Sequence, residues 1–357
     1  MSFHTPIAHA SFRKGWKAAF WSFNLGVQYV TENIGLAARP AIALKFVDPD
    51  WTAKGEERAQ VALTRLETLW FNTGTVCNIT CVNCYIESSP TNDRLAYLTL
   101  GDVQGYFGEI ENGRLGTREI GFTGGEPFMN PDIIEMLELA LDGGFDVLVL
   151  TNAMQPMQRP RIKKALLDLV ARYGSKLKIR VSLDHFTAEL HEAERGAKTF
   201  ARTLTGLDWL GANGFNLAIA GRTCWHELED EARAGYARLI AERRWPIDAT
   251  DPKALVLLPE MDGSSDLPEI TTSCWGILNK QPEQMMCATS RMIVKRKGDA
   301  NATVLPCTLL PYEREFEMGA TLTAAGVADG GMFANGSVKL CHRNCAKFCV
   351  LGGGSCS

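Results

Sequence analysis

From Thr68 onward the chain alternates short apolar runs with longer amphipathic ones, and this alternation limits the possible folds more than any other feature. Residues 69–72, 119–122, 147–151, 178–183, 215–221 and 254–258 read as strands. Residues 99–111, 131–143, 159–173, 197–213 and 229–243 read as the helices between them. Thr99 with Asp102 supplies an N-cap zone for the first helix, and Pro131 falls at the first position of the second. Strand–helix alternation implies a parallel sheet with helical crossovers, either a barrel or a doubly wound sheet. Six units are fewer than the eight of a complete barrel, so the expected fold class is α/β, a partial (β/α)6 TIM-like barrel. Function then belongs on the loops at the carboxyl ends of the strands.

Two regions flank this core. Residues 1–66 form a preface, read as an N-terminal helical extension. Trp16, Phe20, Phe23 and Val27 recur at helical spacing over 13–33, and Gly35 and Pro40 end that helix. It is expected to pack on the barrel or on another subunit. Residues 41–47 read as a strand and 56–67 as a polar-faced helix. After Glu260 the alternation stops, 262–266 read as a loop, and cysteines and glycines become frequent. A boundary near Met261 is expected, giving a core over 67–260 and a small cysteine-rich C-terminal domain over 261–357.

Composition matters chiefly through its eleven cysteines. An odd number at short spacings in a large chain, without the pattern of a secretory leader, fits metal or cluster ligation in a reducing cytoplasm better than a disulfide framework. A net charge of −4 argues against a general nucleic-acid or anionic-membrane partner. No apolar run is long enough to span a bilayer. Ten of the cysteines fall in two zones, 77–84 and 274–356, and Cys224 stands alone as a small buried residue. Cys77, Cys81 and Cys84 follow the first strand, separated by three and then two residues. Three thiolates on one short loop can hold three irons of a [4Fe–4S] cube and leave the fourth open to a small chelating cofactor.

The Cys77-x3-Cys81-x2-Cys84 motif, with Gly124-Gly125-Glu126-Pro127 after the second strand, resembles the radical S-adenosylmethionine (SAM) enzymes over roughly residues 67–260. The resemblance implies that Cys77, Cys81 and Cys84 ligate a [4Fe–4S] cluster whose open iron binds the amino and carboxylate groups of SAM. One electron then cleaves SAM to methionine and a 5′-deoxyadenosyl radical, which abstracts a substrate hydrogen. By the same resemblance Gly124, Gly125, Glu126 and Pro127 form the turn that takes the SAM amino group. Ser182 contacts the SAM ribose or carboxylate, and Arg222 suits that carboxylate as a permanently charged planar donor. Asp184 and His185 are the candidates for a proton acceptor near substrate. One departure stands out: Asn83 occupies a position that is usually aromatic and borders adenine, while the aromatic here, Tyr85, follows Cys84. Tyr85 is therefore the candidate for the adenine contact. Thr151-Asn152 is a rim element without an assigned role.

In the second zone, Cys287 precedes a hairpin-like stretch over 291–305 with Lys297-Gly298-Asp299 at its turn. Cys307, Cys341, Cys345, Cys349 and Cys356 follow. This layout resembles the SPASM and twitch auxiliary-cluster domains. It implies one or two auxiliary [4Fe–4S] clusters held among these six cysteines, with Cys274 as a seventh available thiol and a zinc site as the plain alternative. His342 reads as a neighbour of the ligands rather than a ligand. The expected activity is radical hydrogen abstraction from a peptide or small-molecule substrate, leading to oxidation, cross-linking, epimerisation or sulfur insertion. Flavodoxin or ferredoxin would supply the electron. The rival reading is an iron–sulfur electron carrier or scaffold without radical catalysis.

Overall fold

The computed structural model describes residues 44–259 and 266–353. In chain order it runs β1 (Gln60–Val61), β2 (Thr68–Asn72), α1 (Leu100–Gly113), β3 (Glu119–Thr123), α2 (Ile133–Asp142) and β4 (Asp146–Thr151). Then come α3 (Gln155–Gln158), α4 (Pro160–Tyr173), β5 (Leu177–Ser182), α5 (Ala188–Arg195), α6 (Thr199–Ala212), β6 (Asn216–Arg222), α7 (Glu229–Arg243) and β7 (Leu255–Leu258). The C-terminal region holds α8 (Cys274–Ile277), β8 (Ser290–Val294), β9 (Thr303–Leu305), α9 (Leu322–Gly326), β10 (Phe333–Ala334) and β11 (Ser337–Lys339). A π-helical segment, Cys345–Leu351, follows.

The main sheet is ordered β7-β6-β5-β4-β3-β2-β8-β9. Every neighbouring pair is parallel except β8 and β9, which form the antiparallel hairpin expected around Gly298. This is the expected partial TIM-like barrel. β8 pairs with β2 from Thr68↔Ser290 to Phe71↔Ile293, so the hairpin of the cysteine-rich region continues the sheet.

Period two divides the strands between two faces. Leu69, Phe71, Ile120, Phe122, Val147, Val149, Ile179 and Val181 pack toward the helices. The opposite face carries Trp70, Leu148, Met292, Val294 and Leu305 at the base of the barrel. Trp70 lies over Gly121, where any Cβ would collide with the indole. Toward the carboxyl ends the same inward register turns polar, with Thr123, Asn152, Arg180, Ser182 and Arg222 around an open volume. Parallel strands covered on both faces read as near-continuous apolar runs, which is why all six were recognisable.

The structure differs from expectation mainly before β2. Residues 56–67 are not a helix. Arg58 bridges Thr271 on one side, and Gln60 and Val61 pair with Lys339 and Val338 on the other. Pairing from both sides overrides the helical propensity of this Glu- and Ala-rich stretch. Residues 44–47, the described part of the expected 41–47 strand, form a turn. α2 begins at Ile133, so Pro131 precedes the helix, and the Asn130 side chain accepts from the Asp132 N–H at 2.9 Å. The short helices α3 and α5 were not anticipated. The expected 13–33 helix, nearly all of the 262–266 loop, and Cys356 lie outside the described residues.

Candidate functional site

The three-cysteine loop is fixed from three directions. Its start pairs with the Gly124–Glu126 turn: the Gly125 N–H donates to the Gly74 carbonyl at 2.8 Å, and the Glu126 N–H to the Val76 carbonyl at 3.2 Å. Gly124, at φ +137°, and Gly125 lie so close to this loop that a Cβ on either would strike the Gly74 or Val76 carbonyl. Its far end is held by α5, where the Val82 N–H donates to the Glu194 carbonyl at 2.8 Å and Asn83 Nδ2 to Glu194 Oε1 at 2.7 Å. From β4, Asn152 Nδ2 donates to Asn78 Oδ1 at 2.9 Å.

Cys77, Cys81 and Cys84 line one cavity of about 160 Å³ together with Tyr85, Gly124, Gly125, Ser182, Asp184 and Arg222. Three loops and two strand ends, far apart in sequence, thus converge. Burial pushes the Cys77 thiol up to about 12, and raises Cys81 as well despite nearby Arg195. Buried sulfurs of this kind become thiolates only beside a strong positive charge, which cluster iron supplies. Opposite them, Arg195 grips Asp184 with Nε at 2.7 Å and Nη2 at 3.0 Å, and Arg222 Nε stands 3.6 Å from Asp184. Arg222 Nη2 donates to the Asn83 carbonyl, while its buried Nη1 has no partner among the described residues. An orphaned guanidinium nitrogen beside three sulfurs fits an anionic group such as the SAM carboxylate.

The structure places the remaining candidates elsewhere. Glu126 does not line the cavity. It is 1% exposed, and its carboxylate accepts from Thr151 Oγ1 (2.7 Å), the Asn152 N–H (2.9 Å) and the Phe128 N–H (3.3 Å). Burial outweighs these donors and pushes its carboxyl pKa up. It ties the glycine turn to the end of β4 and leaves no oxygen for a cofactor. Pro127 is buried under the same turn and opens a short 3-10 helix. His185 is also off the cavity: Nδ1 pairs with Thr187 Oγ1 at 2.8 Å and Nε2 lies 3.3 Å from Glu227. Asp184 does line the cavity. Burial alone would raise its carboxyl, but Arg195 and then Arg222 outweigh burial and hold it below the usual range, so it is a poor proton acceptor.

Sequence reasoning gives no role to several cavity residues, among them Thr123, Asn152, Arg180 and Arg195; Arg195 ends a helix that the sequence pattern does not disclose.

A second, small enclosed cavity gathers four cysteines of the C-terminal zone, Cys287, Cys307, Cys345 and Cys349, among Met285, Leu310, Val338 and Leu340. Burial raises the Cys287 thiol to about 11 and moves Cys307 and Cys345 the same way. Cys341 is buried and does not line this cavity; its Sγ lies 3.4 Å from the Asp48 carbonyl, and it is near enough to Cys345 to help raise that thiol. Cys274 lies beside Thr271 instead. His342 accepts from the Asn344 N–H at 3.1 Å and faces Glu313. Among the described residues no three His, Cys, Asp or Glu side chains stand close enough to hold a single metal ion. The two cavities adjoin: Thr308 and Leu309 line the first, and Cys307 the second.

Fold and site together define a barrel enzyme with an iron–sulfur loop at the carboxyl edge of its first core strand. Residues 71–240 match the Radical SAM superfamily. Such a domain takes a [4Fe–4S] cluster and SAM, and the C-terminal cysteines fit a SPASM/twitch-like region with auxiliary cluster capacity. The chain is 31% identical over 145 residues to the antilisterial bacteriocin subtilosin biosynthesis protein AlbA of Bacillus subtilis, covering 40% of this chain and 30% of AlbA. It is 32% identical over 139 residues to the mycofactocin maturase MftC of Mycobacterium ulcerans, covering 39% of this chain and 35% of MftC. Each match thus spans about a third of the relative's length. Streptococcus suis SuiB, in a crystal structure with SAM, shares the fold at a TM-score of 0.52 and 14% identity, over 74% of this chain and 66% of SuiB. Among the described residues no helix is long and apolar enough to cross a membrane.

Proposed function

We propose that this protein is a radical SAM maturase that abstracts a hydrogen atom from a peptide substrate. The observation that carries the reading is the convergence of Cys77, Cys81, Cys84, Gly124, Gly125, Ser182 and Arg222 on one cavity. Cys77, Cys81 and Cys84 would hold the [4Fe–4S] cluster, and SAM on that cluster supplies a carbon-centred radical for hydrogen abstraction. The chain's own residues bind and orient. Gly124 and Gly125 let the backbone come within reach of the SAM amino group. Arg222 Nη1 and Ser182 take the carboxylate or ribose. Asp184 holds the Arg195 guanidinium in a two-point pair and stands 3.6 Å from Arg222 Nε. Leu150, Val256 and Leu258 cover the inner wall and exclude water from the reacting centre.

A peptide substrate is favoured by the bacteriocin-biosynthesis and maturase relatives. Cys287, Cys307, Cys345 and Cys349 supply a complete ligand set for one auxiliary [4Fe–4S] cluster, and the division at 66/67 and 260/261 remains our proposed domain plan. A flavodoxin or ferredoxin of the cytoplasm would supply the electron. Anaerobically reconstituted protein given SAM and dithionite should form 5′-deoxyadenosine. An intact cluster that yields none would instead support an electron carrier or scaffold.

A further inference from the structure

The aromatic residue after Cys84 is held on three sides. The Arg222 guanidinium carbon lies over the Tyr85 ring, 4.8 Å from its centre. Phe348 meets the ring edge-on, with centroids 5.8 Å apart and planes at 78°. The Tyr85 hydroxyl faces the Pro259 carbonyl at 3.5 Å. Phe348 is fully buried and stands between Cys345 and Cys349 in the π-helical segment. Such turns are rare and concentrate at functional positions. Gly352, which caps the segment, lies against Pro259, so that a Cβ there would come 3.0 Å from the proline ring. One segment therefore braces Tyr85 directly through Phe348 and indirectly through Pro259.

Arg222 needs such a brace. Its Nε faces Asp184 at 3.6 Å, a loose pairing, and its Nη2 is spent on the Asn83 carbonyl. What fixes the guanidinium plane, and with it the direction of the orphaned Nη1, is the ring beneath it.

We propose that Tyr85 is a positioning residue for Arg222 and takes its own position from Phe348. The carboxylate-binding end of the SAM site is then set by the C-terminal segment that carries Cys345 and Cys349. The inference rests on the reading of Arg222 as the donor to the SAM carboxylate. In this arrangement Tyr85 acts on SAM through Arg222 and not by touching adenine.

The test uses the full chain, reconstituted anaerobically, with iron and sulfide quantified. SAM affinity is read from the change in the cluster's electron paramagnetic resonance spectrum during titration. Tyr85→Leu and Phe348→Leu should each weaken SAM binding about tenfold, the scale of a desolvated cation–π contact. Tyr85→Phe keeps the ring and should retain wild-type affinity. The double leucine variant should be no weaker than either single one, because both act through one chain of contacts. In the chain without clusters, hydrogen exchange over residues 215–223 should rise in both leucine variants.

Wild-type affinity in Phe348→Leu beside a loss in Tyr85→Leu would overturn the proposal in favour of a direct adenine contact. So would losses that multiply in the double variant. If Phe348→Leu shows no melting transition, Phe348→Met takes its place: folded and with wild-type SAM affinity, it overturns the inference. A wild-type protein with full cluster content and no spectral response to SAM would overturn the reading of the site itself, and the inference with it.

Discussion

At Gly125 a methyl group would collide with the Val76 carbonyl, and the cysteine loop would have to move. Gly125→Ala is therefore expected to lower the iron retained by the reconstituted protein. Gly105→Ala on exposed α1, where a Cβ meets nothing within 4 Å, should leave iron content unchanged. It should raise stability by about 0.5–1 kcal/mol. Iron quantification and the melting midpoints of both variants check the pair. The glycines were legible because their role is steric and local. Glu126 was not, because a carboxylate inside a cofactor motif reads as a ligand until its burial and three donors are known. Arg195 gave no signal: a buried arginine and a surface arginine look alike in a sequence, and only the carboxylate of Asp184 in space separates them.

Among the elements, α1 shows how a local motif is drawn into tertiary structure. Thr99 Oγ1 accepts from the Asp102 N–H at 3.2 Å, and Asp102 Oδ2 accepts from the Thr99 N–H at 2.8 Å. Lys295, just past β8, reaches the same carboxylate at 3.1 Å. Partial burial works to raise the Asp102 carboxyl, but the Thr99 donors and Lys295 outweigh it and hold the carboxyl below its usual value. A lowered folded-state pKa adds stability above the unfolded value near 3.8, lost as pH falls through the folded value. Asp102→Ala should cost about 1–2 kcal/mol near neutral pH. Asp102→Asn should remove the acid-dependent part of that contribution, seen in melting midpoints compared between pH 7 and pH 3. The core helices were legible because period 3.6 persists over ten or more residues. α5 is eight residues long, and 56–67 owes its extended form to β11 and to residue 271, both more than two hundred residues away in sequence.

For the whole molecule, the decisive feature is the position of β8 beside β2. The alternation of strands and helices announced six parallel strands but not that the cysteine-rich region would extend their sheet, since no periodicity encodes which edge a later strand joins. Without β8 and β9, Trp70 and Leu95 would lose Met292, Val294 and Leu305. A chain ending at residue 259 is accordingly expected to aggregate, with size-exclusion chromatography reporting loss of the monomeric or defined oligomeric peak. The same placement bears on how the protein is made. Thr68 pairs with Ser290, 290 − 68 = 222 residues later. At roughly 5–20 residues per second, β2 waits about 10–45 s after leaving the ribosome before its neighbour is synthesised. Through that interval the Cys77–Cys84 thiols sit next to an unpaired strand edge. Holding chaperones that cover the waiting edge of β2 should raise the soluble yield, which co-expression at constant temperature checks.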